Sequence, residues 1–130
     1  MVNDYIIKGS VGKMIPKVKA WDKVNKKMIE DVASIHFKSE MIVTSNLCFY
    51  PFKDIELLQS SGLTDYHYNE YFEEDIVRDV TSEEIGVVEY LEGAFVMRFA
   101  GGDSVDLSDV KDEFEIVGNK FEDGYLLESY

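Results

Sequence analysis

The sequence predicts a mainly β fold, β-rich α+β in class, in which an N-terminal β-hairpin region packs with a small C-terminal SH3-like antiparallel barrel carrying one short helix. Three observations predict it. Apolar and β-branched residues recur at period two in short runs, and Gly, Asn and Asp turn chemistry separates those runs. Charge divides the chain as well: residues 1 to 65 carry 9 Lys/Arg against 8 Asp/Glu and residues 66 to 130 carry 4 against 18, so the halves sit near +1 and −14. The boundaries that follow are a loosely attached arm over 1–14, a β-ribbon subdomain over 15–65 and a barrel subdomain over 66–130.

Each element has a local reason. Tyr5-Ile6-Ile7 is followed by Gly9, Ser10 and Gly12 with no sustained period, which suits an arm or a short edge strand. Val18-Lys19-Ala20-Trp21 alternates, Asp22 to Lys26 carries turn chemistry, and Lys27-Met28-Ile29 resumes an extended run, so the segment reads as a β-hairpin. Ser34 to Ser45 suggests one or two strands, and Asp54 to Leu58 fits either a strand or one helical turn. In the second half, Asp75–Val80 is the first strand. Gly86–Leu91 and Ala94–Phe99 then flank Glu92-Gly93, where glycine supplies the positive φ of a tight hairpin. Phe95, Met97 and Phe99 share one face. Thr81-x-x-Glu84 has capping-box spacing, but the Gly86-Val87-Val88 run makes it a polar turn. Leu107, Val110 and Phe114 fit a short helix with Ser108 near its N-cap, before a last strand at Glu115-Ile116-Val117. Barrel closure would protect the edges of strands this short.

The order of blocks resembles the YopX-like proteins of phages and prophages in Gram-positive bacteria. The matching blocks are Ala20-Trp21-Asp22-Lys23 leading to Lys26-Lys27-Met28, then Ser61-Gly62-Leu63-Thr64-Asp65, Tyr71-Phe72-Glu73-Glu74-Asp75-Ile76-Val77, Gly86-Val87-Val88, and Val117-Gly118-Asn119-Lys120-Phe121-Glu122. The resemblance spans roughly residues 15 to 127 and implies a β-rich fold with an SH3-like C-terminal part, a phage origin and no established biochemical activity, and it supplies no catalytic residues to carry over. Two departures stand out. Glu74 replaces the family's usual Gly, and His67-Tyr68 replaces its usual Asn-Gly turn, so the loop from Asp65 to Glu74 is expected to be remodelled.

No catalytic constellation is legible. Nucleophilic catalysis needs a base beside Ser or Cys, and the chain offers only His36, His67 and Cys48; His36 reads as a structural or surface histidine and Cys48 as a small core hydrophobe. One Cys with two separated His does not describe a zinc site, and the Asp103, Asp106 and Asp109 series lacks the ligand pattern calcium uses. No glycine-rich phosphate loop is present. No metal, cofactor or enzymatic activity is expected. A single Cys allows no internal disulfide, no signal peptide or membrane span is legible, and a cytoplasmic protein is the expectation.

Two charged groups remain as candidate interaction surfaces. Lys13, Lys17, Lys19, Lys23, Lys26 and Lys27 flank Trp21, and such a ribbon could track phosphates while the indole stacks a base. The plainer reading buries Trp21 as a core anchor and leaves the lysines as ordinary surface charges. The acidic group comprises Glu73, Glu74, Asp75, Glu83 and Glu84. The expected function is a non-enzymatic phage-encoded module that binds a host or phage protein, with mimicry of DNA by the acidic face as a special case. Nucleic-acid binding through the ribbon is the alternative, although a net charge of −13 opposes it. A third possibility is a homo-oligomer in which the ribbon of one copy meets the barrel of another.

Overall fold

In the computed structural model the described residues are 17–128 together with the backbone of Tyr5–Ile6; the rest of the arm over 1–14, with Lys13, lies outside them. The strands are β1 (Tyr5–Ile6), β2 (Val18–Asp22), β3 (Lys27–Ile29), β4 (Val32–His36), β5 (Met41–Thr44), β6 (Phe49–Pro51), β7 (Ile55–Thr64), β8 (Glu70–Phe72), β9 (Asp75–Asp79), β10 (Ile85–Leu91), β11 (Ala94–Phe99), β12 (Ser104–Asp106) and β13 (Phe114–Asn119). One α-helical turn, α1 (Leu107–Val110), and 3-10 turns at Phe52–Asp54, Lys111–Glu113 and Gly124–Leu127 complete the chain. All strand pairing is antiparallel. The chain divides into two compact units, Met1–Gln59 and Ser60–Tyr130.

In the first unit β2 lies between β3 and the Ile55–Gln59 half of β7, while β1, β4, β5 and β6 pair in that order. The open choice at Asp54–Leu58 resolves as a strand, preceded by the 3-10 turn at Phe52–Asp54. Val18 and Ala20 on β2 point into a cluster with Ile29, Val32, Ile35, Ile42 and Ile55, against which Tyr50, Phe52 and Leu57 pack. Complete burial of a side chain the size of Ile is worth roughly 1.5–3 kcal/mol, so this cluster is the main source of stability in the unit. Alternation along β2 turns Lys19 and Trp21 to the opposite face. Trp21 is nevertheless only 7% exposed, in line with the core-anchor reading and against an indole open to a base. Cys48 corrects the sequence reading: it is exposed, because it follows Leu47 in a turn where Thr44 bonds its backbone.

In the second unit the order β12-β11-β10-β9-β13 forms a curled half-barrel. Tyr71, Val77, Val88, Met97, Leu107 and Phe114 fill it, with Phe95 and Phe99 packed from the face they share with Met97. The expected closure is replaced by edge protection. Tyr66 N–H donates to the carbonyl of Phe114 and Ile116 N–H donates to the Asp65 carboxylate, so the loop after β7 occupies the outer side of β13. At the other end, β12 is only three residues long. The short helix stands at Leu107–Val110, with Asp106 rather than Ser108 at its N-cap, and Phe114 belongs to β13. The residues Glu70–Phe72 pair with β7 as β8, a strand not apparent from the sequence.

The loop with the two family departures has two non-glycine residues with positive φ. Tyr68 has φ 66° and Glu74 has φ 69°, both in the left-handed region that costs an ordinary residue about 1–2 kcal/mol.

Candidate interaction surfaces

The residues that carry the family resemblance are mostly turn anchors. Asp22, Asp65 and Asp75 are buried carboxylates, and each organises its own turn. Asp22 accepts the backbone N–H of Val24 and Asn25 and the side-chain amide of Asn25. The Asn25 N–H is the largest cause holding this carboxyl below its ordinary range; the Asn25 side chain, Val24 N–H and Lys27 act the same way, and burial opposes them. Asp65, only 1% exposed, accepts N–H groups from His67, Asn69 and Ile116 at 2.8–2.9 Å. Asp75 accepts the N–H of Phe72 at 2.7 Å. Asn119 holds the last turn through Phe121 and Glu122, and Gly118 leaves room for Asp123, whose Oδ2 would lie 2.5 Å from any Cβ there.

This arrangement redistributes the predicted acidic face. Asp75 is withdrawn into the interior, and Glu74 pairs with Lys120 at 2.8 Å. Glu73 is partly buried and has an interaction of its own. Glu83 and Glu84 alone of the five stand exposed, on the turn between β9 and β10. There the structure adds acids the sequence reading had not joined to them. Val80 N–H donates to the carbonyl of Glu113, which brings the 3-10 turn Lys111–Glu113 beside the Glu83–Glu84 turn. Asp79 at the base of the turn is held below its ordinary range by the N–H of Ser82 and then of Thr81.

An aromatic loop borders the same edge. Tyr66 is 53% exposed and Tyr68 is 86% exposed, and the three N–H bonds to Asp65 make a firm pedestal for both. His67 packs edge-on against Tyr66 and contacts Glu115, which also receives Arg78. His67 is the largest cause keeping the Glu115 carboxyl below its usual range, ahead of Arg78. A neutral-to-acidic surface with two presented phenols is suited to cationic groups, which favour both carboxylates and aromatic faces.

The predicted lysine ribbon is split by the fold. Lys17 and Lys19 lie toward the start of β2, and Lys23, Lys26 and Lys27 lie around the turn at its far end. That turn gains company. Lys23 N–H donates to the carbonyl of Asp54, and Phe52 N–H donates to the carbonyl of Glu40, so the turn after β2, the turn after β4 and the Phe52–Asp54 turn meet. Lys38 and Lys53 thereby join Lys23, Lys26 and Lys27, with Glu40, Asp54 and buried Asp22 as the acids nearby. All five lysines are exposed, and Val24 beside them is 65% exposed. Lys38 and Lys53 were missed because they are far apart in sequence; their shared signal was a position in a turn following a strand.

Among the described residues, no group of three His, Cys, Asp or Glu side chains is placed to hold a metal, and no helix is long and apolar enough to cross a membrane. His36 contacts Ser34 at 2.8 Å on β4.

Comparison with known proteins sets this architecture in context. The crystal structure of protein EF1440 from Enterococcus faecalis matches 89% of this chain and 100% of its own, with TM-score 0.70 and 24% identity. The X-ray structure of protein yopX from Bacillus subtilis matches 85% of this chain and 97% of its own, with TM-score 0.56 and 16% identity. These likenesses concern the fold. No curated protein matches. The model of the family described as YopX protein matches residues 17–128, which takes in both units, and the chain belongs to that family.

Proposed function

We propose that the protein is a non-enzymatic interaction module, encoded by a phage or prophage and acting in the host cytoplasm, that binds a host or phage protein through the aromatic and acidic edge of its second unit. The single observation that supports the reading is the loop from Asp65 to Asn69, where one buried carboxylate anchors three N–H groups and two tyrosines stand exposed, with Tyr66 N–H bonded to the carbonyl of Phe114 next to exposed Glu113. Exposed, rigidly held tyrosines contribute contact area at low entropic cost. The surrounding carboxylates select a basic surface and speed the encounter at low salt. Affinity capture from host lysate, comparing the native chain with a Tyr66→Ser/Tyr68→Ser variant, tests it. The expected result is a saturable protein retained by the first and lost by the second; equal capture by both would refute the assignment to this loop.

A second reading rests on the lysine-bearing turns of the first unit, which could track a phosphate backbone. Burial of Trp21 removes the stacking contribution and leaves only charge. Fluorescence anisotropy with single-stranded DNA and RNA decides it, since binding of this kind must fall steeply with added salt, and absence of binding at low ionic strength would eliminate it.

A further inference from the structure

We infer that the lysine-bearing end of the first unit is a docking face for the acidic edge of the second unit in another copy of the same chain, giving a head-to-tail association. The observations that carry this concern which charges find partners within one molecule. In the second unit every basic side chain is paired: Arg78 with Glu115, Arg98 with Glu89, Lys111 with Asp112 and Lys120 with Glu74. Residues 60–130 hold 19 Asp/Glu against those 4, so acids far outnumber cations in this unit. In the first unit the opposite holds at one end. Among the described residues Lys23, Lys26, Lys27, Lys38 and Lys53 make no ion pair, and Glu83, Glu84 and Glu113 make none either.

Complementary charge that is unmatched within each unit is available between chains. Hydrogen bonds fix the three lysine turns against one another, and Val80 N–H fixes the two acidic turns, so both faces are preorganised in backbone. Val24 on the basic side and Tyr66 on the acidic side are exposed apolar groups that a contact would cover. A polyanion is the competing occupant of the lysine face. The second copy fits better, because Glu40 and Asp54 stand among the lysines and would repel a continuous row of phosphates, while an overall charge of −13 opposes nucleic acid at longer range. A contact between two different faces is heterologous, so each copy keeps one face open for the next.

That geometry defines a specific test. Sedimentation velocity of the full chain over a concentration series should show association at low salt and its loss near 1 M, where the screening length is about 3 Å. Lys23→Gln/Lys38→Gln/Lys53→Gln and Glu83→Gln/Glu84→Gln/Glu113→Gln should each weaken self-association at least about tenfold, the order expected from one lost favourable contact. Mixed together they should form a 1:1 complex, because the acidic face of the first variant and the basic face of the second remain intact. Complex formation also establishes that both variants are folded. A native chain that stays monomeric at low salt overturns the inference, as does a lysine variant that associates like the native chain or a mixture that forms no complex. A monomeric chain that binds single-stranded DNA through these lysines overturns it in favour of the polyanion. The heterologous partner is tested separately, since capture of a host protein through Tyr66 and Tyr68 can succeed when self-association fails.

Discussion

The basic end of the first unit and the acidic edge of the second are made in the same way and differ in what they do with charge. Each is a set of turns that lie apart in sequence and are joined by backbone hydrogen bonds: Lys23 to Asp54 and Phe52 to Glu40 in one, Val80 to Glu113 in the other. Each also leans on a buried aspartate, Asp22 or Asp65. The second unit, however, pairs every base it has, whereas the first leaves five lysines without an ion pair among the described residues. The difference teaches that the carboxylates that build the fold and the charges that dress it are separate sets. Buried acids anchor turns, and exposed charge is left for interactions.

The largest expected effect falls on the anchors. Asp65→Ala leaves three backbone N–H groups without their acceptor and should lower unfolding free energy by about 4 kcal/mol, read from urea denaturation. A change below about 1 kcal/mol would make Asp65 an ordinary surface acid and erase the distinction. Gly118→Ala should cost about 1–3 kcal/mol, because the new Cβ meets the Asp123 side chain that holds the Asn119 turn. Tyr71→Phe should cost about 1 kcal/mol, measured the same way, since its buried hydroxyl donates to the carbonyl of Lys111 at 2.7 Å. Burial, followed by the charges of Asp65, Asp112 and Asp75, raises this phenol well above its ordinary range, so it stays protonated as that donor.

Acid titration sharpens the comparison further. The Asp22 carboxyl is held below its ordinary value in the folded chain, so its contribution is complete above about pH 4 and is lost as pH falls through the folded pKa. The stability difference between the native chain and Asp22→Asn should therefore be constant from neutral pH to about 4 and shrink below it; a difference that grows on acidification would contradict the hydrogen-bonded role. The smallest effect belongs to the dressing charges. Lys23→Gln, Lys38→Gln and Lys53→Gln should each change stability by less than about 0.5 kcal/mol in urea, even where they alter association. A loss as large as that of Asp65→Ala would show that these lysines support the fold.

Much of the fold was legible in local pattern. The Val18–Ile29 hairpin, the Gly86–Phe99 hairpin about Gly93, and the shared face of Phe95, Met97 and Phe99 were all readable from alternation and turn chemistry. β8 was missed because three residues carry too little periodicity, and its pairing with β7 is irregular, with a register shift between Ser60 and Thr64. The candidate surfaces were legible only in part. Glu83 and Glu84 sit on an evident polar turn, but Glu73, Glu74 and Asp75 read as the same acidic run while being partly buried, ion-paired and buried. Cys48 misled in the opposite direction, since its apolar neighbours Leu47 and Phe49 are themselves exposed.

By itself the sequence determined the β class, most turn positions and the asymmetry of charge, because alternation, turn chemistry and side-chain ionisation are local properties. Only the tertiary structure decided which turns meet. Pairing between distant strands set Lys38 and Lys53 beside Lys23, and set Glu113 beside Glu83 and Glu84. It also buried Trp21 and divided the lysines at the two ends of β2. Antiparallel register is a long-range choice, and no short window of sequence contains both of the strands that make it.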